Sequence, residues 1–292
     1  MSNTLEKLKA REAKLLCRTY SRYPIAVERG RGARLWDFDG KEYVDLLAGI
    51  AVVGLGHGNE EIADVMAAQA RKLVHVSNLF YQEEQLDFAE KLLATCHAGK
   101  AFFCNSGAEA NEAAIKIARR YQRQVKGRDA WEVVSLDNCF HGRTLAALAA
   151  TGKHTEGFEP LPDGFRRVPW GDLAALEAAI TPHTAAVLVE AIQGEGGVFP
   201  LGREYAQGIE ALCRKHGVLF MCDEVQGGMG RSGKFWAFQH YDLTPDVITS
   251  AKALANGLPL GAMLVTDEVA AGFDYGSHAT TFGGGALVTA VG

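Results

Sequence analysis

The sequence predicts an α/β fold built on a mostly parallel sheet. From residue 100 onward, apolar runs without polar alternation recur at about 101–104, 132–136, 185–189, 218–222 and 247–249. They alternate with segments of helical periodicity at about 108–125, 172–180 and 203–216. Strands buried on both faces need no polar alternation, and the helices between them supply the crossovers of a parallel sheet. A chain of 292 residues suits one large domain, or a large and a small one.

The first hundred residues predict separate elements before this sheet. Residues 4–20 carry leucines near helical spacing among charges, which predicts an amphipathic helix. Residues 34–39 and 42–46 alternate apolar and polar side chains around Asp39-Gly40, a typical β-hairpin signal. Two further helices are predicted at about 59–73 and 82–97.

Composition excludes several classes of protein. The chain is 48% hydrophobic and 22% charged with a net charge of −5, so no excess of basic residues points to a nucleic-acid partner. Residues 1–7 lack the apolar core of a signal peptide, and the longest near-apolar stretch, 46–55, is shorter than the roughly 20 residues of a membrane span. None of the six cysteines has CxxC spacing. We therefore expect a cytoplasmic protein without membrane contact.

Ligands of parallel sheets bind beyond the carboxyl ends of the strands, and four segments follow predicted strands there. In the first, 104–111, Ser106, Gly107 and Ala108 open a helix whose free N–H groups could bind a phosphate. The alternative is a helix cap, with Ser106 and Glu109 forming a capping box. Both interpretations can hold, because they use the same geometry.

The second segment, residues 138–144, combines an aromatic ring with a cation. Phe140 could stack on a planar cofactor, and Arg143 could clamp a carboxylate through two parallel hydrogen bonds. The alternative for each residue alone is a core phenylalanine and a surface arginine.

The third segment places Asp223 at the end of a buried strand, where a carboxylate needs a cationic partner. The pyridinium nitrogen of pyridoxal phosphate is such a partner. A metal ligand or a helix N-cap is the alternative. No neighbouring histidine or acid has metal-site spacing, so no metal is predicted.

The fourth segment contains Lys252, which follows the predicted strand 247–249, lies between two alanines and precedes a Gly/Pro turn. Burial among small apolar residues lowers the pKa of a lysine and makes its amine a nucleophile, as a Schiff-base lysine requires. The alternative is a solvated surface charge.

A competing motif, GxGxxG at residues 228–233, would indicate a dinucleotide site only if it joined a strand directly to a helix. Residues 223–226 intervene and 234–238 do not begin a helix, so we predict a loop.

In their order, these motifs resemble the class III (ω-amino) aminotransferases, which are pyridoxal-phosphate enzymes of fold type I. The resemblance covers nearly all of the chain and is carried by residues 103–114, 140–144, 193–197 and 223–226. It implies a large domain, residues 51–292, with a mostly parallel seven-stranded sheet flanked by helices. Residues 1–50 would be the N-terminal segment of a small domain. The C-terminal part of that domain, on the scale of 100 residues, would be absent beyond Gly292.

The resemblance also implies how pyridoxal 5′-phosphate would be held. Lys252 would bind it as a Schiff base, Asp223 would pair with the pyridinium nitrogen, and Gln226 would touch the ring oxygen. Phe140 would stack on the ring. Further cofactor contacts would come from Ser106, Gly107, Ala108, Glu224 and Val225.

Substrate and partner contacts follow from the same resemblance. Arg143 would bind the α-carboxylate of an amino-acid substrate, with Thr280 nearby. Glu195 would mask a second arginine while the amino donor binds, or would simply cap a glycine turn. Thr281 would reach the phosphate of a partner subunit's cofactor, which implies a homodimer with shared active sites.

The choice of amino donor depends on two stretches. Residues 48–52 are aliphatic where the members that act on ornithine have a tyrosine, which favours acetylornithine or 4-aminobutyrate. Residues 111–114 favour acetylornithine, with 2-oxoglutarate as acceptor and succinyl-diaminopimelate as a possible second substrate. The alternatives are an aminotransferase for 4-aminobutyrate or another ω-amino acid, and a non-catalytic fragment.

The last 40 residues depart from the family pattern. Ala255, Asn256 and Ala279 stand where glycines are usual, which matters if those positions require a positive φ. Gly285 and Ala286 stand where Asn-Pro is usual at a helix start.

Overall fold

The computed structural model describes residues 3–292; Met1 and Ser2, which begin the stretch where no signal peptide is predicted, lie outside this range. The helices are α1 (Asn3–Leu15), α2 (Ala48–Ala51), α3 (Glu60–Lys72), α4 (Glu83–Leu93), α5 (Gly107–Arg120), α6 (Leu145–Thr151), α7 (Leu173–Ala179), α8 (Arg203–His216), α9 (Asp267–Ala270) and α10 (Ala286–Val291). The strands are β1 (Val27–Arg31), β2 (Arg34–Asp37), β3 (Glu42–Val44), β4 (Lys100–Cys104), β5 (Glu132–Leu136), β6 (Phe165–Val168), β7 (Thr184–Val189), β8 (Ile192–Gln193), β9 (Phe199–Pro200), β10 (Leu219–Asp223), β11 (Val247–Ser250) and β12 (Gly261–Val265).

A seven-stranded sheet in the order β4-β12-β11-β10-β7-β5-β6 forms the centre of the fold. Strands β11, β10, β7, β5 and β6 are parallel, whereas β12 is antiparallel to both β11 and β4. The predicted mostly parallel sheet is therefore confirmed. All its strands except β12 end at the same edge.

Both faces of this sheet are buried, which explains the apolar runs without alternation. In β7, Val187 and Val189 belong to one hydrophobic cluster, and Ala186 and Leu188 belong to the other. Helix α5 lies across the face that carries the second cluster, against β11 and β12. Burial of this kind contributes about 25 cal/mol per Å² of apolar surface.

Side-chain and glycine signals set the helix ends. Asn59 accepts a hydrogen bond from Ile62 N at the start of α3, and Asp172 accepts one from Ala175 N at the start of α7. Helix α8 ends at Gly217, whose φ of 63° is the left-handed conformation that glycine adopts without a steric penalty.

The predicted capping box at α5 is only half correct. Ser106 Oγ accepts a hydrogen bond from Glu109 N at 3.2 Å, as predicted. Glu109 does not return to Ser106 N, because its Oε2 accepts from Asn105 N at 2.6 Å and from the Asn105 amide at 2.9 Å. The Glu109 carboxylate therefore holds Asn105, the residue before the N-cap Ser106.

The N-terminal elements largely follow the prediction. The hairpin β2–β3 is present and gains β1 as a third antiparallel strand. Helix α1 ends at Leu15, earlier than the predicted residue 20, and α4 ends at Leu93 rather than near residue 97. No helix among residues 3–292 combines the length and apolar character that a membrane crossing requires.

The sequence analysis missed two strands of the central sheet. Strand β6 carries Arg166 and Arg167, because it lies at the sheet edge where only one neighbour covers it. Strand β12 begins at Gly261, and the Gly/Pro residues before it hid its start. Edge position and pairing partners are tertiary properties that local pattern does not encode.

Truncation of a core side chain tests the two-sided burial. Leu188→Ala removes a fully buried side chain, and we expect it to lower the free energy of unfolding by about 2–5 kcal/mol. Leu16→Ala, at a leucine 56% exposed, is the control and should change it by less than about 0.5 kcal/mol. Urea unfolding followed by circular dichroism measures both. Equal effects of the two substitutions would contradict a sheet covered on both faces.

Candidate active site

A cavity of about 420 Å³ opens at the carboxyl edge of the central sheet. Its wall brings together residues that are far apart in sequence, at the ends of β4, β5, β10 and β11. Among them are Ser106, Gly107, Phe140, Asp223, Gln226 and Lys252. Ala108, Arg143 and Val225 line it as well, so nine of the residues predicted from the four segments share one wall.

The N-terminus of α5 forms the part of the wall suited to an anion. The first N–H groups of a helix have no acceptor within it, and they carry partial positive charge. A Cβ on Gly107 would lie 2.6 Å from Val225 Cγ1, so only glycine allows this close approach. Gly142, with φ of 134°, likewise brings the following loop against Ala108.

Asp223 is buried and held by a polar network. Its Oδ2 accepts a hydrogen bond from Asn111 Nδ2 at 2.8 Å and lies 2.7 Å from His141 Nδ1. Its Oδ1 accepts from Val225 N at 3.0 Å. Thr249 donates in turn to Asn111 Oδ1 at 2.7 Å. Because both oxygens of the Asp223 carboxyl have hydrogen-bond partners, the network fixes the orientation of this group.

The charge state of His141 depends on this contact. Burial favours its neutral form, but the neighbouring Cys139 and Asp223 outweigh burial and raise the pKa of His141 well above its ordinary value.

Lys252 follows β11 in a strained conformation, with φ of 48°. Burial lowers the pKa of its amine, while Asp223, Glu195 and Glu190 oppose that shift. Within residues 3–292, Lys252 Nζ makes no hydrogen bond or ion pair. A half-buried amine without a partner, on a cavity wall, is suited to attack an electrophile.

The loop after β5 carries an aromatic ring and a cation. Arg143 Cζ lies 5.6 Å from the Phe140 ring centroid, and the arginine is exposed at the cavity. No carboxylate in the described part of the chain pairs with Arg143, so its guanidinium is available to a ligand.

A left-handed turn forms the side of the cavity at Val52. Residues 48–51 all have positive φ, between 50° and 65°, so α2 is not a right-handed helix. Asp45 supports the turn by accepting hydrogen bonds from Leu47 N and Ala48 N. Val52, at its end, contributes an aliphatic surface to the wall.

Four predicted site residues do not line the cavity, and Glu224 is one of them. Its buried carboxyl accepts hydrogen bonds from Ala237 N and Phe238 N, at 2.7 and 2.9 Å. Burial raises the pKa of Glu224 to about 8. It therefore supports the loop after β10 rather than contacting a ligand in the cavity.

The other three predicted site residues that do not line the cavity lie close to residues of its wall. Glu195 is exposed and accepts a hydrogen bond from Gln226 Nε2 at 3.4 Å. Thr280 Oγ1 accepts one from Asn105 Nδ2 at 3.2 Å. Thr281 is exposed on the same segment as Thr280.

Sequence reasoning assigned no role to Asn111, His141 or Glu190, although all three line the cavity. The first two contact Asp223, and the third directly follows β7. An acid at the end of an entirely apolar strand was the available signal for Glu190, the same signal that identified Asp223.

The departures near the C-terminus cause little backbone strain. Neither Ala255 nor Ala279 has a positive φ; of the three positions only Asn256 does, at 44°. Asparagine tolerates this conformation. Its side chain also accepts a hydrogen bond from Leu55 N at 2.8 Å, which joins the loop after β11 to the N-terminal region. Gly285 occupies the N-cap of α10 in an extended conformation.

Comparison with known proteins gives concordant matches. The family model described as Aminotransferase class-III matches residues 16–292. An acetylornithine aminotransferase from Myxococcus xanthus is 50% identical over 279 residues, which cover 94% of this chain and 69% of that protein.

Two solved structures share the fold over nearly the whole chain. The ornithine aminotransferase from Toxoplasma gondii superposes with a TM-score of 0.95 at 33% identity, covering 99% of this chain and 70% of that one. The acetylornithine aminotransferase from Elizabethkingia anophelis gives 0.86 at 34% identity, covering 98% and 70%.

Filling the space at Gly107 tests the anion site. The new methyl group of Gly107→Ala would collide with Val225, so we expect a phosphorylated ligand, with pyridoxal phosphate as the probe, to bind at least about tenfold more weakly, or about 1.4 kcal/mol. The control is Gly202→Ala, where no atom lies within 4 Å of the added Cβ. An absorbance titration measures the affinity. The same affinity in both variants would place the phosphate elsewhere.

Proposed function

The chain belongs to the class-III aminotransferases, and from this premise we propose that it moves the terminal amino group of N2-acetyl-L-ornithine to 2-oxoglutarate, with pyridoxal 5′-phosphate as cofactor. The observation that carries the proposal is the common cavity wall of Lys252 and Asp223. An amine and a buried carboxyl on one cavity are what this chemistry requires. A role in arginine biosynthesis follows from the substrate.

The residues present fit the proposed cofactor. The helix N-terminus at Gly107 is shaped for a phosphate, and the close packing of Gly107 on Val225 leaves no room for a side chain there. Asp223 Oδ1 accepts one hydrogen bond, from Val225 N, and has acceptor capacity for a ring N–H. Phe140 would pack against the cofactor ring, and Gln226 would contact the oxygen atom attached to that ring.

When bound, pyridoxal phosphate supplies an aldehyde that takes up an amino group and a ring that withdraws electrons from the adjacent carbon. Asp223 would hold a proton on the ring nitrogen, oriented by its bonds to Asn111 and His141. Lys252 Nζ would hold the cofactor and would accept and return a proton at the substrate carbon. Its lowered pKa favours the uncharged amine that both roles need.

Arg143 would bind the substrate carboxylate at the mouth of the cavity. Its guanidinium is exposed, stays charged at any physiological pH and can bind a carboxylate through two parallel hydrogen bonds. The guanidinium packs over the Phe140 ring. A carboxylate bound to it would therefore lie at a fixed position relative to Phe140, and so to the cofactor ring that Phe140 would contact. Thr280, next to Asn105 of the wall, would contact the same substrate.

Val52 supports acetylornithine over ornithine as the amino donor. An aliphatic wall accommodates the methyl group of an acylated amine, whereas free ornithine would place a second ammonium group there, with a desolvation cost. The relative from Myxococcus xanthus acts, by its name, on acetylornithine. Succinyl-diaminopimelate, another acylated diamine, is a proposed second substrate.

Steady-state assays with 2-oxoglutarate test this choice. We expect the kcat/KM for acetylornithine to exceed those for ornithine and 4-aminobutyrate. A preference for 4-aminobutyrate would assign the chain to a different activity within the family. No turnover of any ω-amino donor, with cofactor bound, would refute the proposal.

The cofactor lysine can be identified directly. Lys252→Ala should abolish the visible absorption band of the cofactor complex and slow the reaction with acetylornithine by about 10²–10⁴-fold, since the proton acceptor is lost. Lys234→Ala, at an exposed lysine outside the cavity, should leave both unchanged. Borohydride reduction followed by peptide mapping should label Lys252. A label on another lysine would overturn its role.

We also propose a cytoplasmic homodimer with shared active sites. The segment carrying Thr280 and Thr281 packs against residues 75–85, since Asn78 donates to Gly283 O and His75 lies 5.4 Å from the Phe282 ring. Beside it, Leu79, Phe80 and Tyr81 are at least two-thirds exposed. An exposed apolar patch of this kind is typical of a subunit interface. Residues 51–292 would form the large domain and residues 1–50 part of a small one.

Subunit mixing tests the shared site. Thr281→Ala and Lys252→Ala should each be inactive or nearly so as homodimers. A hybrid would contain one intact site, with Lys252 from one subunit and Thr281 from its partner. Random mixing should therefore restore about a quarter of the wild-type activity. Additive residual activity without recovery would show that each site lies within a single subunit.

A further inference from the structure

Glu190 is a buried carboxylic acid that the proposed mechanism does not use. It follows the last residue of β7, is 5% exposed and lines the cavity together with Phe140 and Asp223. A buried acid on a ligand cavity costs free energy unless it has a specific partner or function.

The Glu190 carboxyl connects two loops of the site. Oε2 accepts a hydrogen bond from Phe140 N at 3.0 Å, in the loop after β5. Oε1 accepts one from Gly194 N at 3.3 Å, in the turn that precedes Glu195. One side chain therefore holds the backbone of Phe140, the residue proposed to pack against the cofactor ring, and the backbone of the turn at Gly194.

The Gly194 turn is packed tightly against another residue of the wall. A Cβ on Gly194 would overlap the end of the Gln226 side chain, so the turn lies in direct contact with Gln226. The Glu190 carboxyl is therefore linked to Phe140 through one hydrogen bond and, through the Gly194 turn, to Gln226. Both are residues that would contact the cofactor.

Charged groups surround Glu190. Burial raises its pKa to about 7, His141 opposes the shift and Asp223 adds to it. Lys252, with Glu195 near it, is the other ionisable group that interacts with Glu190. The carboxyl therefore lies among ionisable groups that act on its pKa, and its position beside Asp223 and Lys252 places any charge it carries close to both of them.

We propose that Glu190 is a positioning residue, whose carboxyl fixes the Phe140 loop relative to the Gly194 turn and links their geometry to the charge of the His141–Asp223 pair. This inference rests on the proposed function, because it assigns the two loops to a cofactor and its substrate. Glu190 itself touches neither reacting atom in this assignment.

The chain offers a matched control for Glu190→Gln. Glu224 is also a buried carboxyl at a strand end with two backbone N–H donors, but it does not line the cavity. A glutamine at either position keeps the side-chain size, loses the charge and can accept through one atom only. Glu224→Gln therefore reports what the loss of a buried carboxyl costs structurally.

Hydrogen exchange of the protein without cofactor is the first measurement. We expect at least one of the two amides, of Phe140 or Gly194, to exchange at least about tenfold faster in Glu190→Gln, because glutamine has a single acceptor oxygen for the two N–H groups. In Glu224→Gln the same two amides should keep their rates. Unchanged exchange in Glu190→Gln would overturn the proposal, whatever the enzyme binds.

Cofactor affinity and the pH profile are the second measurement. Glu190→Gln should bind pyridoxal phosphate several-fold more weakly, and the pH dependence of its reaction with acetylornithine should differ from that of wild type. Glu224→Gln should keep the wild-type profile even if it unfolds more easily. The same profile in all three proteins would overturn the link to the charged pair. If wild type binds no pyridoxal phosphate, the proposed function fails, and the exchange data alone decide the positioning role.

Discussion

The site depends on one buried carboxyl. Asp223 lies at the end of a central strand, out of contact with bulk water, and it is stable there because Asn111, His141 and the Val225 amide all contact it. A buried carboxylate without such partners would cost several kcal/mol. The rest of the cavity is arranged around this group.

The topology of the sheet explains why these partners meet. In a parallel sheet the carboxyl ends of distant strands lie at the same edge. Side chains that are far apart in sequence therefore line one cavity there, from residues 105–111, 138–143, 190, 223 and 252. Helix α5 links two parts of the cavity wall, since its first residues line the cavity and Asn111, one turn later, contacts Asp223. The antiparallel β12 places Gly261 beside Cys104 and closes the site on the β4 side.

Electrostatics divides the buried acids into two kinds. Glu224 accepts hydrogen bonds from two backbone N–H groups and does not line the cavity. Glu190 shares a wall with Asp223, His141 and Lys252, and the pKa values of Glu190 and Lys252 are shifted by burial and by these neighbours. Only the second arrangement can respond to a bound ligand, because only there does a ligand alter the local field.

Sequence alone determined the class of fold, the order of most strands and helices, and nine residues of the cavity wall, because burial on both faces and strand-end chemistry leave local patterns. It placed Glu224 in the site, whereas Glu224 does not line the cavity, and it gave no site role to Asn111, His141 or Glu190. Which way a side chain turns, and which distant strand lies beside it, is decided by packing. The tertiary structure alone decided that Glu224 supports a loop while Glu190 lines the cavity, since both are simply acids after an apolar run until the sheet is assembled.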